Sequence, residues 1–376
     1  MTGLIFVGMV GPDSHNQEER RFVEELSLHF TVSHYLRGAG IKGLRPHQLK
    51  SVPRRLRGGR ADAPSTKLRE GSLLVIPVRS AARRFNAAWI RRQLNDLMRG
   101  APGDWTVWVR FPSPELVDDI DQIPYARVVY EPIDLYSAAE DLSPAHSKRL
   151  LDAEARLIKH ATVVTGSKQL AERFQQAEGG SHWLPFGRDQ HQPAIGAGLP
   201  PEISWPRLGL VGCLDWRVDE SLLVSLMTTY SDWHLVLAGP RVRPWGLRLE
   251  RLPNVHWLGR IPVERVGPVI RDCDVTLIPY RLTDWTRHCL PVKVFEYLAG
   301  GKAVVATQLP ELELLGDVIT IAPADSFGEA VEAALDDTGI PAQERRRQAG
   351  DRFTLQDRAH RAIELVHGKE LQAAIL

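Results

Sequence analysis

Trp285-Thr-Arg-His-Cys-Leu-Pro-Val-Lys-Val-Phe-Glu-Tyr-Leu-Ala-Gly-Gly-Lys-Ala-Val-Val-Ala-Thr307 reads as a loop, a short helix, a glycine stop and a buried strand within 23 residues. The helix is expected to begin at Pro291, where a missing N–H costs nothing, and to end at Gly300-Gly301, where the backbone can turn left-handed. Val292, Phe295 and Ala299 recur at i, i+3 and i+7. Val294 and Leu298 widen that apolar face, and Lys293, Glu296 and Tyr297 share the remaining stripe. Ala303-Val-Val-Ala306 is an apolar run of the kind buried on both faces of a parallel sheet. A helix N-terminus with unpaired N–H groups, joined by Thr286, Arg287 and Lys293, favours a phosphate. Glu296, one turn further in, can accept from two sugar hydroxyls, so the layout suits a diphosphate and a ribose. Tyr297 is expected to pack.

Upstream, short apolar runs at 4–7, 30–34, 73–77, 105–109, 127–130 and 162–165 alternate with helical or loop-like segments, the pattern of a parallel α/β domain. A second series runs through 208–211, 234–238, 255–258, 275–279, 303–306 and 318–321. Between them, Pro185-Phe-Gly-Arg-Asp189 leads into a Gly- and Pro-rich stretch reaching Pro206, expected to be the linker. At the end of the chain, Leu355, Ala359, Ala362, Ile363 and Val366 have helical spacing. A length of 376 residues fits two such domains.

Composition excludes several classes. Hydrophobic residues at 43%, charged residues at 25% and a net charge of +1 describe an ordinary soluble chain with no bulk charge for nucleic acid. Cys213, Cys273 and Cys289 lie far apart, with neither metal-ligand spacing nor a disulfide framework, which points to a reducing compartment. No run approaches the ~18–20 apolar residues of a membrane span, and the N-terminus lacks a basic leader, so the expected location is cytoplasmic. Charge is nevertheless uneven. Residues 37–70 hold ten Lys or Arg against Asp62 and Glu70, a net +8. Beyond them, Arg79, Arg83, Arg84, Arg91, Arg92 and Arg99 surround Phe85, Trp89, Ile90, Leu94 and Leu97 in an amphipathic pattern. The basic 37–99 region can touch an anionic membrane surface on its inner face, or an anionic acceptor. The competing reading is a solvated helix face beside a long loop.

The 285–307 stretch resembles the donor-site signature of GT-B glycosyltransferases of the bacterial family 4, or group 1, superfamily, through its Thr-Arg, Pro-x-Lys, Glu-Tyr-Leu-Ala and Gly-Lys-x-Val-Val-Ala-Thr. The resemblance implies an α/β, GT-B architecture: two Rossmann-like domains with parallel sheets facing across a cleft. They would be an acceptor-binding domain at 1–190 and a donor-binding domain at 204–353, with a terminal helix in 354–376 returning to the first. It also implies that Glu296 holds the ribose of a nucleotide-sugar donor and that Thr286, Arg287 and Lys293 hold its diphosphate. His288 stands where many retaining relatives carry a second Glu near the transferred sugar, so His288, Cys289 and Leu290 are the donor-sugar candidates.

Gly212 follows a strand directly, which lets a diphosphate approach the backbone. Cys213 and Val218 occupy positions where many relatives have Arg and Lys, leaving Arg217 as the nearby cation. Gly239 ends the next strand, and Arg260 and Ile261 follow the glycine whose loop holds the base in the family. In the first domain Asp134 matches a strand-end aspartate of the same branch. There it can take a proton from an acceptor hydroxyl or steady a cationic transition state, although strand-end aspartates also cap helices. His15, in the loop after the first strand, is a second catalytic candidate, set against an ordinary solvated histidine. Arg110 and Glu131 are acceptor candidates, set against an ion pair for Arg110.

The implied activity is transfer of a sugar from a nucleotide-diphosphate donor, with a UDP-sugar favoured. The acceptor would be a hydroxyl or amine of a sugar, a lipid-linked or a small-molecule substrate in bacterial glycan, glycolipid or natural-product synthesis. No metal or other cofactor is expected. The same fold also serves nucleotide-sugar 2-epimerases and non-catalytic partner subunits, and both stay open at this point.

Overall fold

The computed structural model describes residues 3–8, 17–40, 68–75, 83–99, 103–120, 123, 126–139, 142–190, 195–242, 244–337 and 339–368. Contacts divide the chain into two units, one running to Pro185 and resuming at Leu355, the other spanning Phe186–Thr354.

The first unit is built on a parallel sheet of β1 (Gly3–Gly8), β2 (Val32–Gly40), β3 (Leu68–Val75), β4 (Trp105–Val109), β5 (Ala126–Tyr130), β6 (Ala161–Thr165) and β7 (Ser181–Trp183), ordered β3-β2-β1-β4-β5-β6-β7. Its central strands β1, β4, β5 and β6 are largely apolar because both faces are covered. Ile5, Val7, Val107 and Val109 pack on one side with Ile90 and Leu94 of α2 (Arg83–Arg99). Leu4, Phe6, Trp108 and Val129 pack on the other with α1 (Gln17–Ser27) and the terminal helix. The amphipathic stripe at 85–97 is therefore spent in part on the core. Ile90 and Leu94 are buried and Leu97 is packed against them, whereas Arg92 and Arg99 lie outside in i,i+4 and i,i+3 pairs with Asp96. Arg79 and residues 41–67 of the basic segment fall outside the described residues.

The second unit repeats the plan with β8 (Arg207–Val211), β9 (His234–Ala238), β10 (Val255–Gly259), β11 (Val275–Ile278), β12 (Ala303–Ala306) and β13 (Thr320–Ile321), all parallel and ordered β10-β9-β8-β11-β12-β13. The order reverses between β8 and β11, so a crevice opens beyond the C-terminal ends of those two strands, the usual ligand position in a doubly wound sheet.

The linker expectation needs correcting. The change of unit falls at Pro185–Phe186, and much of the Gly- and Pro-rich stretch is fastened to the second unit. Ile195 N–H donates to Glu264 O at 3.0 Å and Leu199 N–H to the Asp272 carboxylate at 2.8 Å, and the Arg265 guanidinium donates to the Ala197 and Gly198 carbonyls at 3.0 Å each. Glycine and proline here shape a strap whose backbone groups are paired. The terminal helix, Leu355–Val366, clusters with the first unit and packs on α1.

Candidate functional site

In the second unit the short helix α8 (Lys293–Ala299; α3–α7 are Pro114–Ile120, Pro144–Leu157, Lys168–Arg173, Glu220–Thr229 and Val266–Asp272) lies between β11 and β12 in sequence. It starts two residues after the expected Pro291. The N–H groups of Val294 and Phe295 donate to the Pro291 and Val292 carbonyls at 3.0 and 3.1 Å, so these first-turn donors are already occupied. Gly301, at φ +72°, supplies the left-handed stop. Tyr297 packs fully buried, its hydroxyl accepting from Val211 N–H at 2.8 Å, and this pins the helix to β8.

Pinning α8 there brings Lys293 to the strand ends. Its Nζ is buried, has no hydrogen-bond partner, and stands 5.3 Å from the centre of the Tyr280 ring. Burial, seconded by Arg217, pulls its pKa down to about 8. Gly212, at φ +127°, sits against it: a Cβ there would come within 3.0 Å of Nζ. Arg217 is held by Asp215, Nε to Oδ1 at 2.9 Å and Nη2 to Oδ2 at 2.7 Å, and its Cζ lies 5.9 Å from the same Tyr280 ring. Burial alone would raise the Asp215 pKa, but Arg217 overrides it and the carboxyl is held low. Cys213, half-buried, has its thiol pushed up by burial and by Asp215. Asp215 and Tyr280 were missed in the sequence. The Asp-x-Arg spacing and a tyrosine directly after a strand's closing proline were the available signals.

Several candidates have other employment. The Thr286 hydroxyl accepts from Thr283 N–H at 2.8 Å and donates to Arg281 O, so it staples the 281–286 loop and is not free for a phosphate. Cys289 and Leu290 are buried in the unit's interior. Gly239 donates to Gly259 O at 2.7 Å, and a Cβ on it would strike Gly212 O at 1.9 Å, so it serves close strand-end packing. Arg287 is exposed, and so is Arg260, beside half-buried Ile261 after β10. His288 Nδ1 lies 2.8 Å from Asp284 O and donates to that carbonyl. Glu296 is half-buried one turn beyond Lys293. Burial holds its carboxyl above the usual range, Arg188 opposing and Asp189 reinforcing. Arg188 and Asp189 belong to the stretch expected to lead into the linker.

In the first unit Asp134 follows β5, half-buried, its carbonyl accepting from Tyr136 N–H at 3.0 Å. The next turn, Tyr136–Ala138, begins at Leu135, which supplies no side-chain cap. Arg110 and Glu131 are corrected as acceptor contacts. Both are wholly buried, and Arg110 donates through Nε to Glu131 at 2.8 Å and through Nη1 to Glu18 at 3.0 Å. Trp108 Nε1 donates to Glu131 at 2.6 Å, and Arg358 of the terminal helix pairs with the same carboxylate. Burial would raise the Glu131 pKa, but Arg110 and Arg358 hold it low. His15 lies outside the described residues. Among the described residues no three His, Cys, Asp or Glu are grouped to hold a metal, and no helix is long and apolar enough to cross a membrane.

Residues 213–337, which carry the Lys293, Tyr280 and Arg217 cluster, match the family model described as glycosyl transferases group 1. That match lies wholly within the second unit. The whole chain has the GT-B fold. It superposes on sucrose-phosphate synthase from Thermosynechococcus elongatus with a TM-score of 0.71, 16% identity and 98% and 99% of the two chains covered. Anabaena HepE, in complex with UDP and glucose, gives a TM-score of 0.65 and 14% identity over 97% and 99%. In sequence, the chain is 26% identical over 226 residues to the putative teichuronic acid biosynthesis glycosyltransferase TuaH of Bacillus subtilis (strain 168). That match takes in 54% of this chain and 55% of TuaH, so it spans about half the length of the curated relative. The residues matched by the family model thus include Arg217, Tyr280, Lys293 and Glu296.

Proposed function

We propose that this chain is a glycosyltransferase that moves a sugar from a nucleoside-diphosphate donor, a UDP-sugar in first place, to a hydroxyl or amine acceptor of a bacterial glycan, glycolipid or natural product. The observation that carries this reading is the buried, unpartnered Lys293 Nζ against Gly212. An ammonium enclosed without an acceptor is costly, and an anion at the strand ends would supply the missing partner. The UDP and glucose bound by HepE and the polymer named for TuaH support the choice of nucleotide and acceptor class.

In this reading Lys293, with Arg217 and exposed Arg287, offsets the charge that builds on the departing diphosphate, so the transfer needs no metal. Glu296 accepts from the ribose hydroxyls. Asp134, at the end of β5, receives the acceptor's proton as the acceptor oxygen bonds the sugar and the sugar–phosphate bond breaks.

The test is to supply UDP-sugars with and without candidate acceptors and to follow nucleotide release. A transferase releases UDP in proportion to acceptor, above slow hydrolysis, and Asp134→Asn lowers that turnover while sparing UDP affinity. Conversion of the donor alone to a second nucleotide sugar would replace this reading with an epimerase. Binding and turnover both absent would leave a partner subunit.

A further inference from the structure

Two cations approach one buried aromatic ring. The Tyr280 ring is 4% exposed, with Lys293 Nζ 5.3 Å and Arg217 Cζ 5.9 Å from its centre. Its backbone is fixed on both sides: Val218 and Tyr280 form an antiparallel bridge, Arg281 N–H donates to Arg217 O at 2.7 Å, Asp219 N–H to Pro279 O at 2.8 Å, and Thr307 Oγ1 to Tyr280 O at 2.7 Å. The ring is thereby held in place as part of the strand end. Asp215 neutralises Arg217 from one side, but Lys293 Nζ has no hydrogen-bond partner and lies beside the ring and Gly212, where a Cβ would come within 3.0 Å of it. The face of a tyrosine ring carries negative electrostatic potential, so it attracts a cation without consuming its hydrogen-bond donors. A carboxylate in the same place would pair with the ammonium and compete with any incoming anion.

We propose that Tyr280 is a positioning residue: its ring gathers Lys293 and Arg217 beside Gly212 while leaving the Lys293 ammonium's donors free for the two phosphates of the donor. This rests on the nucleoside-diphosphate reading above and assigns to the ring the task of distinguishing a diphosphate from a monophosphate. An apolar side chain of similar size would fill the space yet leave the cations to repel each other.

The experiment compares UDP with UMP, and GDP with GMP in parallel, by calorimetry on the wild-type protein, Tyr280→Phe and Tyr280→Leu. Tyr280→Met is carried as a second apolar replacement should the leucine variant fail to fold. Phe keeps the ring and should keep the diphosphate preference within about twofold, whereas Leu or Met should lose about tenfold in diphosphate affinity with monophosphate affinity unchanged. In a Lys293→Met background the Leu replacement should cost less than about twofold, because the unpaired cation is gone and Arg217 stays paired with Asp215. A Tyr280→Leu or Tyr280→Met protein that keeps the full preference, or that loses diphosphate and monophosphate affinity alike, overturns the role of the ring. A wild-type protein with no preference for diphosphate over monophosphate overturns the underlying donor reading instead.

Discussion

An ammonium enclosed as Lys293 is, with its pKa pulled to about 8 by burial and by Arg217, changes charge within the range of ordinary assays. The diphosphate requires the protonated form, and the free protein loses that proton as pH rises through about 8. Nucleoside-diphosphate affinity should therefore hold below that value and fall above it, a trend that calorimetry across the interval would show and that Lys293→Met should abolish. Glu296→Ala should weaken the same binding by roughly 1–3 kcal/mol through loss of the charged acceptor for the ribose hydroxyls. Unchanged affinity would remove Glu296 from the site. Lys293 and Glu296 stand out in the sequence because a polar stripe on a short apolar helix between a loop and a buried strand has few other uses. Thr286, Arg110 and Glu131 were misread because their partners are invisible to local spacing: the loop closes on Thr286, and the charges around Arg110 come from residues 18, 131 and 358. Tyr280 lies one residue beyond the expected 275–279 run, where spacing alone gives no reason to single it out.

At the level of elements, strands were legible wherever both faces are buried, because the apolar run is then continuous. β4, β9 and β12 fall on the expected residues, whereas β7, whose three residues are all half-buried, left no such run. Amphipathic helices were recognised as amphipathic, but the pattern does not say what covers the apolar face. In α2 the cover is the sheet itself. The terminal helix illustrates the opposite case, in which a polar residue decides the docking. Arg358 is 2% exposed, its Cζ lies 4.3 Å from the centre of the Phe22 ring, and it shares Glu131 with Arg110. Arg358→Met should leave Glu131 and Glu18 short of a cation and destabilise the first unit by about 3–5 kcal/mol in urea denaturation. A loss near zero would mean that the helix is held by its apolar face alone. Because the Glu131 pKa is depressed in the folded state, its contribution is complete above the ordinary carboxylate range and fades as pH falls below it.

Over the whole molecule, the two-domain α/β plan was readable from two successive series of apolar runs. The point of exchange was not, since glycine and proline mark a bend equally well in a linker and in a strap hydrogen-bonded to one unit. The division of the chain also divides the chemistry. All the groups assigned to the donor, from Gly212 to Glu296, lie in the second unit, and Asp134 lies in the first. The central claim concerns the donor half and can be tested without knowing the acceptor. Calorimetric titration of UDP, GDP and dTDP into the wild-type protein and Lys293→Met at neutral pH does so most directly. The account predicts saturable binding of at least one nucleoside diphosphate to the wild type and a loss of about tenfold or more in Lys293→Met, the equivalent of one charge-assisted hydrogen bond. Equal affinity in the two proteins, or binding by neither, would contradict it.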